Sequence, residues 1–487
     1  MSERDDAAGG ARRERGRAGA PRSAPQRRRE ARGRDEVQPA RRVAFSVLRA
    51  VSDSDAYANL LLPRELERAG LSGPDAGLAT ELTYGTLRRQ GTYDAILAAA
   101  ADRDPAQIDP AVRDALRLGI HQLMSTRVAS HAAVNESVEL AAESSGRGAA
   151  GFANAVLRRV ARETPGEWLD RIADAARSDD ERLGLAQSHP VWIVRALRRA
   201  LAAEGRQGEL EDLLAADNAS PRVSMAALPG LAEPREPVAP YSPVGFRLDA
   251  GDPEPAVRAS EGRLRVQDEG SQLVALALTR LSPVRAGERW LDLCAGPGGK
   301  TALLAAEALA GGASLEANEV VPARAGLVRR AVAAVPLDVT VHERDGRELA
   351  AERAGEFDRI LVDAPCTGLG ALRRRPEARW RKQPADVAEL TALQEQLLLE
   401  AFGALRPGGV VAYVTCSPHL AETMAVVAAV RDRLGDAAEE LDARAALQSV
   451  ARRPLDLPVP GDGSRRAQLW PHRHGTDAMF LALLRRR

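Results

Sequence analysis

Three cysteines, Cys294, Cys366 and Cys416, fall in the second half of this 487-residue chain, each within a short run rich in glycine, proline, threonine or serine. A free cysteine is either a small buried core residue or a group whose thiolate meets a substrate. Cys366, in Asp363-Ala-Pro-Cys-Thr-Gly368, and Cys416, in Thr415-Cys-Ser-Pro418, each follow an apolar run that reads as a strand. Parallel strands of one sheet end at the same edge, so the two thiols are expected side by side despite their separation in sequence. Such a pair points to nucleophilic chemistry. No spacing suggests a disulfide framework or a zinc site, so no metal is expected, and the free thiols suit a reducing, cytosolic compartment.

A second constellation is Asp292-Leu-Cys-Ala-Gly-Pro-Gly-Gly-Lys-Thr301, a glycine-rich turn between the apolar run Trp290 to Leu293 and a helical pattern through Leu303, Leu304 and Ala308. Free amides at such a helix start bind nucleotide-like ligands, and glycine lets the backbone come close to them. A Walker-type phosphate loop needs glycine where Cys294 stands, and a dinucleotide fingerprint is broken by Pro297 and Lys300. A loop for S-adenosyl-L-methionine fits better. Its candidate contacts are Cys294, Ala295, Gly296, Pro297, Gly298, Gly299 and Lys300, with no covalent role for Cys294.

These residues need a frame. Strand-like runs at Ser314 to Ala317, Val339 to His342, Arg359 to Val362 and Val410 to Val414 alternate with helical stretches such as Ala323 to Val335, Asp386 to Leu405 and Ala421 to Leu434. The alternation implies a parallel sheet covered on both faces, with ligands at the carboxyl ends of its strands. Glu319 follows the second strand, placed for two ribose hydroxyls, and Asp345 the third, placed for an adenine amino group. Asp363 and Cys416 follow the fourth and fifth. Met479 to Leu484 reads as a late antiparallel edge strand.

The first half is different. Val43, Val47 and Val51 share a helical face, as do Val112, Leu116, Ile120 and Leu123, and then Phe152, Val156 and Val160, which indicates an all-α domain over 37–165. The segments Leu116 to Met124, His131 to Val138 and Phe152 to Arg158 resemble the NusB-like RNA-binding domain. Arg41, Arg42, Arg88, Arg89, Arg158 and Arg159 are then candidates for RNA phosphates. Residues 166–264 read as further helices, with Trp168 and Trp192 as core anchors, and a Pro-rich small subdomain. Ahead of everything, residues 4–34 carry eleven arginines against four acids and almost no large apolar side chain, so 1–36 is expected to be a disordered arm. Lys plus Arg equals Asp plus Glu at 68 each, so net charge by itself implies no polyanionic partner. No apolar run is long enough for a membrane span. A monomer is expected.

In the catalytic half, Asp292 to Thr301, Asn318-Glu319, Asp345-Gly346-Arg347, Asp363 to Gly368 and Thr415 to Pro418 together resemble the RNA (cytosine carbon-5) methyltransferases. With the helical front half, the chain is similar to the bacterial RsmB/Sun (Fmu) family, which acts on 16S ribosomal RNA. That resemblance implies an all-α NusB-like domain followed by a Rossmann-like class I methyltransferase domain over 265–487. It implies S-adenosyl-L-methionine held by 294–300, Glu319, Asp345 and Asp363, with Cys416 as nucleophile and Cys366 tied to product release. Carbon 5 of cytosine is a poor nucleophile, and addition of a thiolate to carbon 6 makes it an enamine carbon. Asp363 would hydrogen-bond the base edge. The family's usual linker triplet is here Val223-Ser224-Met225, and its late Asp-Gly-Phe-Phe run is Asp477-Ala478-Met479-Phe480. Arg373 to Arg375 and Arg379 to Lys382 are expected at phosphates, with Trp380 stacking on a base. His472 and His474 read as surface histidines. A transfer-RNA substrate, a non-catalytic RNA-binding assembly factor and a nicotinamide dehydrogenase are the alternatives.

Overall fold

The helical pattern from Val37 onward resolves into α1 (Pro39–Ser54), α2 (Ala58–Arg68), α3 (Gly73–Arg88), α4 (Gln90–Ala101), α5 (Pro110–Ser125) and α6 (Ser130–Val160), the last broken at Gly146. This computed structural model describes residues 37–487 apart from Asp55, 249–250, 460–462 and 464; the arm expected over 1–36 lies outside the described residues. The apolar stripes face one another: Val47, Leu82, Ile96, Leu116, Ile120 and Leu157 are fully or almost fully buried in one cluster. Trp168 closes that cluster, its indole N–H donating to the Val160 carbonyl at 3.0 Å. Trp192 is only half-buried, at the seam with the second half of the chain.

Further helices lead to a small antiparallel sheet of β1 (Val223–Ala227), β2 (Gly245–Leu248) and β3 (Leu264–Val266), in the order β2-β1-β3. Its third strand runs past residue 264 and connects to the helix Glu269–Thr279.

The main sheet holds β4 (Arg289–Asp292), β5 (Ser314–Asn318), β6 (Val339–His342), β7 (Phe357–Asp363), β8 (Leu405–Thr415), β9 (Ala438–Leu441), β10 (Ala467–Gln468) and β11 (Phe480–Arg486). Its order is β10-β11-β8-β7-β4-β5-β6, with β9 also paired to β11, and β6 through β8 run parallel. Alternate residues serve opposite faces. Trp290, Leu361 and Ala412 join the cluster under the helices Glu269–Thr279 and Gly299–Gly311, while Leu291, Ile360, Val411 and Tyr413 pack under Pro384–Gly403. The late antiparallel strand is present but is not an edge. β8 flanks it on one side, and the short strands β9 and β10 cover it on the other. Strands of four and two residues leave too little alternation to be seen in a sequence.

The order reverses beside β4, so the crevice for a ligand opens where β4 and β7 end. Asn318 staples that edge: its amide donates to the carbonyls of Leu293 (3.2 Å) and Arg344 (3.0 Å), and its oxygen accepts from the Arg344 amide.

Candidate active site

β4 delivers Asp292, fully buried, to the floor of the crevice, where one oxygen accepts the Thr301 hydroxyl at 2.8 Å and the other has no partner. Burial lifts this carboxyl to about 7, against the Thr301 bond and with the neighbouring charge of Asp363. The loop after it is shaped by what surrounds it. A side chain at Gly296 would meet Glu319 at 2.0 Å, and one at Gly298, whose φ is 103°, would meet Ala331 at 2.6 Å. These two glycines make room for protein neighbours. Gly299 differs, with only Gln267 near at 3.9 Å, so its open side faces the crevice.

That crevice is a cavity of about 670 Å³. Ala295, Gly296, Pro297, Gly299, Lys300 and Asp363 line it, together with Asp292, which the sequence reading left out of the site although it directly precedes the loop. Gln267 lines it too, buried, with both polar atoms of its carboxamide unpartnered. The opposite wall was not anticipated: Thr80, Glu81, Tyr84 and Arg88 of α3 close the cavity from the front domain.

The remaining loop candidates sit back from the opening. Cys294 packs against the apolar cluster under the sheet, and burial, followed by the charges of Asp292, Asp363 and Glu319, pushes its thiol up. Glu319 accepts from the Gly296 amide (3.1 Å) and the Val321 amide (3.0 Å) and pairs with Arg324 at 3.4 Å. Asp345 caps the helix Gly346–Glu352 and holds the Arg347 guanidinium at 2.6 Å, which keeps its carboxyl below the usual range.

The two thiols meet. Cys366 and Cys416 stand with their sulfurs 3.5 Å apart at the ends of β7 and β8. Next to them Lys300 donates to Asp363 at 2.8 Å. Burial alone would lower the Lys300 ammonium, but Asp363 and the Cys416 sulfur raise it above its ordinary value. Cys416 is lowered, first by its hydrogen bond from Cys366 and against burial and Asp363, with Lys300 assisting. Only one of two touching thiols can ionise readily, and Lys300 lies on the Cys416 side.

The arginines after the Pro-Cys turn are largely held by protein partners, although Arg373, Arg374 and Arg375 also line the cavity. Arg373 and Arg374 share Asp268 and Asp477 in a buried four-charge network, at 3.1 and 3.0 Å for Arg373. Arg379 has no exposed surface and donates to the carbonyls of Arg88 (2.8 Å), Ser188 (3.1 Å) and Asp217 (2.8 Å), the C-terminal ends of three helices. Arg381 reaches the Val51 and Ala56 carbonyls, and Trp380 lies over Gly91 of α4. An arginine run has the same sequence whether its partners are phosphates or the negative ends of helix dipoles. The front-domain arginines are also engaged: Arg41 with Gln122, Arg42 with Glu143, Arg88 with Ser220, Arg89 with Ala186, Arg158 with Asn154 and Arg159 with Ala100. Of these six, Arg88 lines the cavity. The two late histidines are not at the surface either. His474 is buried on the Trp470 amide, and His472 bonds Glu209 at 3.0 Å.

Among the described residues no group of three or more His, Cys, Asp or Glu could hold a metal ion, and no helix is long and apolar enough to cross a membrane. Residues 278–485 match the family described as 16S rRNA methyltransferase RsmB/F, and residues 38–162 match the NusB family. Rv1407 of Mycobacterium tuberculosis, named as a methyltransferase without a stated substrate, is 50% identical over 465 residues, 93% of this chain and 98% of its own. A ribosomal RNA small subunit methyltransferase B of Pseudomonas putida is 35% identical over 416 residues, 82% of this chain and 91% of its own. The crystal structure of PH0851 superposes with a TM-score of 0.75 at 22% identity, covering 93% of this chain and 99% of that one, a likeness of fold. A glycine-loop crevice and paired thiols at one sheet edge thus accompany full-length similarity to such relatives: the chain belongs to the RsmB/F family and is an S-adenosyl-L-methionine-dependent RNA methyltransferase.

Proposed function

We propose that this enzyme methylates carbon 5 of a cytosine in 16S ribosomal RNA through a covalent adduct between Cys416 and carbon 6. The observation that carries the reading is the 3.5 Å contact of Cys366 and Cys416 beside the Lys300–Asp363 pair, at the edge of a cavity built on the glycine loop. Its support in relatives is the similar Pseudomonas putida protein, named a ribosomal RNA small subunit methyltransferase B.

The residues present fit the cofactor. The cavity falls within the range of small-molecule sites, and Asp292 and Gln267 offer it buried polar atoms with no partner in the protein. Asp292 would take the ammonium of the methionine moiety, the amides of Gly299 and Lys300 its carboxylate, and Glu319 and Asp345 the nucleoside. When bound, S-adenosyl-L-methionine supplies a methyl group activated by a sulfonium.

The protein does the rest. The Cys416 thiolate forms a bond to carbon 6 of a cytosine turned out of its stack, and the electrons of the 5,6 double bond make carbon 5 nucleophilic. Asp363, held by Lys300, accepts from the amino group at the base edge and orients the ring, and the Lys300 ammonium steadies the negative charge that addition creates. After methylation carbon 5 gives its proton to a base, for which Cys366, Asp363 and water are the candidates, the electrons of that C–H bond restore the 5,6 double bond, and the sulfur–carbon bond breaks with its electrons returning to Cys416. Cys366, in contact with Cys416, assists that departure. Residues 37–165 hold the RNA, 166–264 connect, and 265–487 carry the reaction in the cytosol.

The test is transfer of labelled methyl from the cofactor to unmodified 16S RNA by wild type, Cys416→Ala and Cys366→Ala, with RNA–protein adducts read on a denaturing gel. Cys416→Ala should lose both transfer and adduct, and Cys366→Ala should accumulate adduct. Transfer by Cys416→Ala but not by Cys366→Ala would reverse the two roles.

A further inference from the structure

Glu422 has no exposed surface, yet it lies within three residues of a chain turn and carries a carboxylate. Five residues after Cys416, a single wide (π) turn at Ala421–Ala425 precedes the helix Val426–Leu434, and this turn swings Glu422 inward beneath the two cysteine loops. Every group that meets its carboxylate is a donor. One oxygen accepts the Thr367 amide at 2.7 Å and the Gln394 amide at 3.3 Å; the other accepts the Thr367 hydroxyl and the Ser417 hydroxyl, the latter at 2.6 Å. A carboxylate's two oxygens can take all four of these bonds.

The geometry assigns Glu422 as the positioning residue of the thiol pair, clamping the turns that carry Cys366 and Cys416 and placing its fixed negative charge on the Cys366 side. Thr367 follows Cys366 directly and gives two bonds, whereas Ser417, after Cys416, gives one. Gln394 completes the clamp by donating to the Pro365 carbonyl at 2.8 Å, so Cys366 is held from both neighbours. The Tyr413 hydroxyl fixes the backbone of Glu422 itself at 2.7 Å. Electrostatics follow the same division. Cys366 is pushed well up by its bond to Cys416, by burial, and by the charges of Cys416 and Glu422. The charges facing Cys416 are Asp363, Lys300 and Asp477. A charge buried this completely is costly to keep, and a merely structural link would be served as well by a neutral side chain.

The inference rests on the thiol-addition reading above, and its test separates the two. Wild type and Glu422→Gln, without RNA or cofactor, are alkylated with iodoacetamide between pH 7 and 9, and labelling of the Cys366 and Cys416 peptides is followed by mass spectrometry. Gln keeps the shape and loses the charge, so reactivity should shift toward Cys366 and the Cys416 to Cys366 ratio should fall about tenfold, the equivalent of one pKa unit. The kcat for methyl transfer should fall by a similar factor while affinity for S-adenosyl-L-methionine stays within about twofold. Ser417→Ala removes one clamp bond and keeps the charge: kcat should fall, and the labelling ratio should hold. An unchanged ratio in Glu422→Gln, or full activity in Ser417→Ala, overturns the assignment. Should Glu422→Gln fail to fold, Ser417→Ala and Thr367→Val decide the clamp by the same kcat and affinity measurements. Normal methylation by Cys416→Ala would instead defeat the thiol-addition reading and leave the labelling ratio to judge Glu422 alone.

Discussion

At the residue scale the site is governed by which polar atoms are satisfied. Asp292 has one oxygen on Thr301 and one facing the cavity with nothing bonded to it, and burial holds its carboxyl at about 7. A cationic ammonium favours the ionised form, so binding of the cofactor must drive off the proton of whatever fraction is neutral. Affinity for S-adenosyl-L-methionine should therefore rise with pH from 6 to 8, by at most about tenfold per unit below the carboxyl's own value, and level off above it. Calorimetry across that range checks this, with Asp292→Asn as the comparison: its profile should be flat and its affinity lower at pH 8. Matching slopes for the two proteins would remove Asp292 from cofactor binding. The same accounting explains why Gln267 stood unnoticed. Its carboxamide is one among many in the sequence, and only its burial without partners marks it.

At the element scale, the loop between β7 and the helix Pro384–Gly403 does two jobs within a few residues. Its first part carries Cys366, and its second drives Arg379 into the C-termini of α3 and of the helices Asp179–Gln187 and Leu210–Asn218. Carbonyls at those ends lack intrahelical donors, and the dipoles add negative potential, so one guanidinium completes three helices. Burial nonetheless pulls its pKa down to about 10, because Asp217 offsets only part of the desolvation. Arg379→Ala leaves these carbonyls buried and unbonded and should cost about 3–5 kcal/mol of stability in urea unfolding. Arg379→Lys should recover little, since an ammonium lacks the fork needed to span three carbonyls. A loss below about 1 kcal/mol for the alanine variant would mean that water replaces the guanidinium.

At the scale of the whole molecule, the front domain is part of the cavity wall: α3 closes it opposite the glycine loop, and Arg379 to Arg381 tie the two halves together. Arginines expected at phosphates are largely held by protein partners, although Arg88 and Arg373 to Arg375 also line the cavity, so a further source of attraction for RNA is worth testing. Residues 1–36 carry eleven arginines against seven acids, which leaves the other 451 residues net acidic by four. Removing 1–36 should weaken RNA binding most at low salt and flatten the dependence of log Kd on log salt, each lost phosphate contact reducing the slope by about 0.7–0.9. Binding titrations from 50 to 200 mM salt measure it; superimposable lines for the full and shortened chains would assign the arm no part in binding.

The sequence alone carried the alternation of strand and helix, the glycine loop, and the convergence of Cys366 and Cys416, because each follows from local chemistry and from the rule that parallel strands share an edge. The helical front half was legible for the same reason, since its apolar stripes repeat at helical spacing. Tertiary structure decided the partners. It turned Arg373, Arg374 and Arg379 toward carboxylates and carbonyls, moved β11 inside the sheet, brought α3 over the crevice beside the glycine loop, and put Glu422 under both thiols. These depend on contacts across tens to hundreds of residues, where a charge of one sign fits a phosphate, a helix end or a buried acid equally well until the packing of the chain selects one.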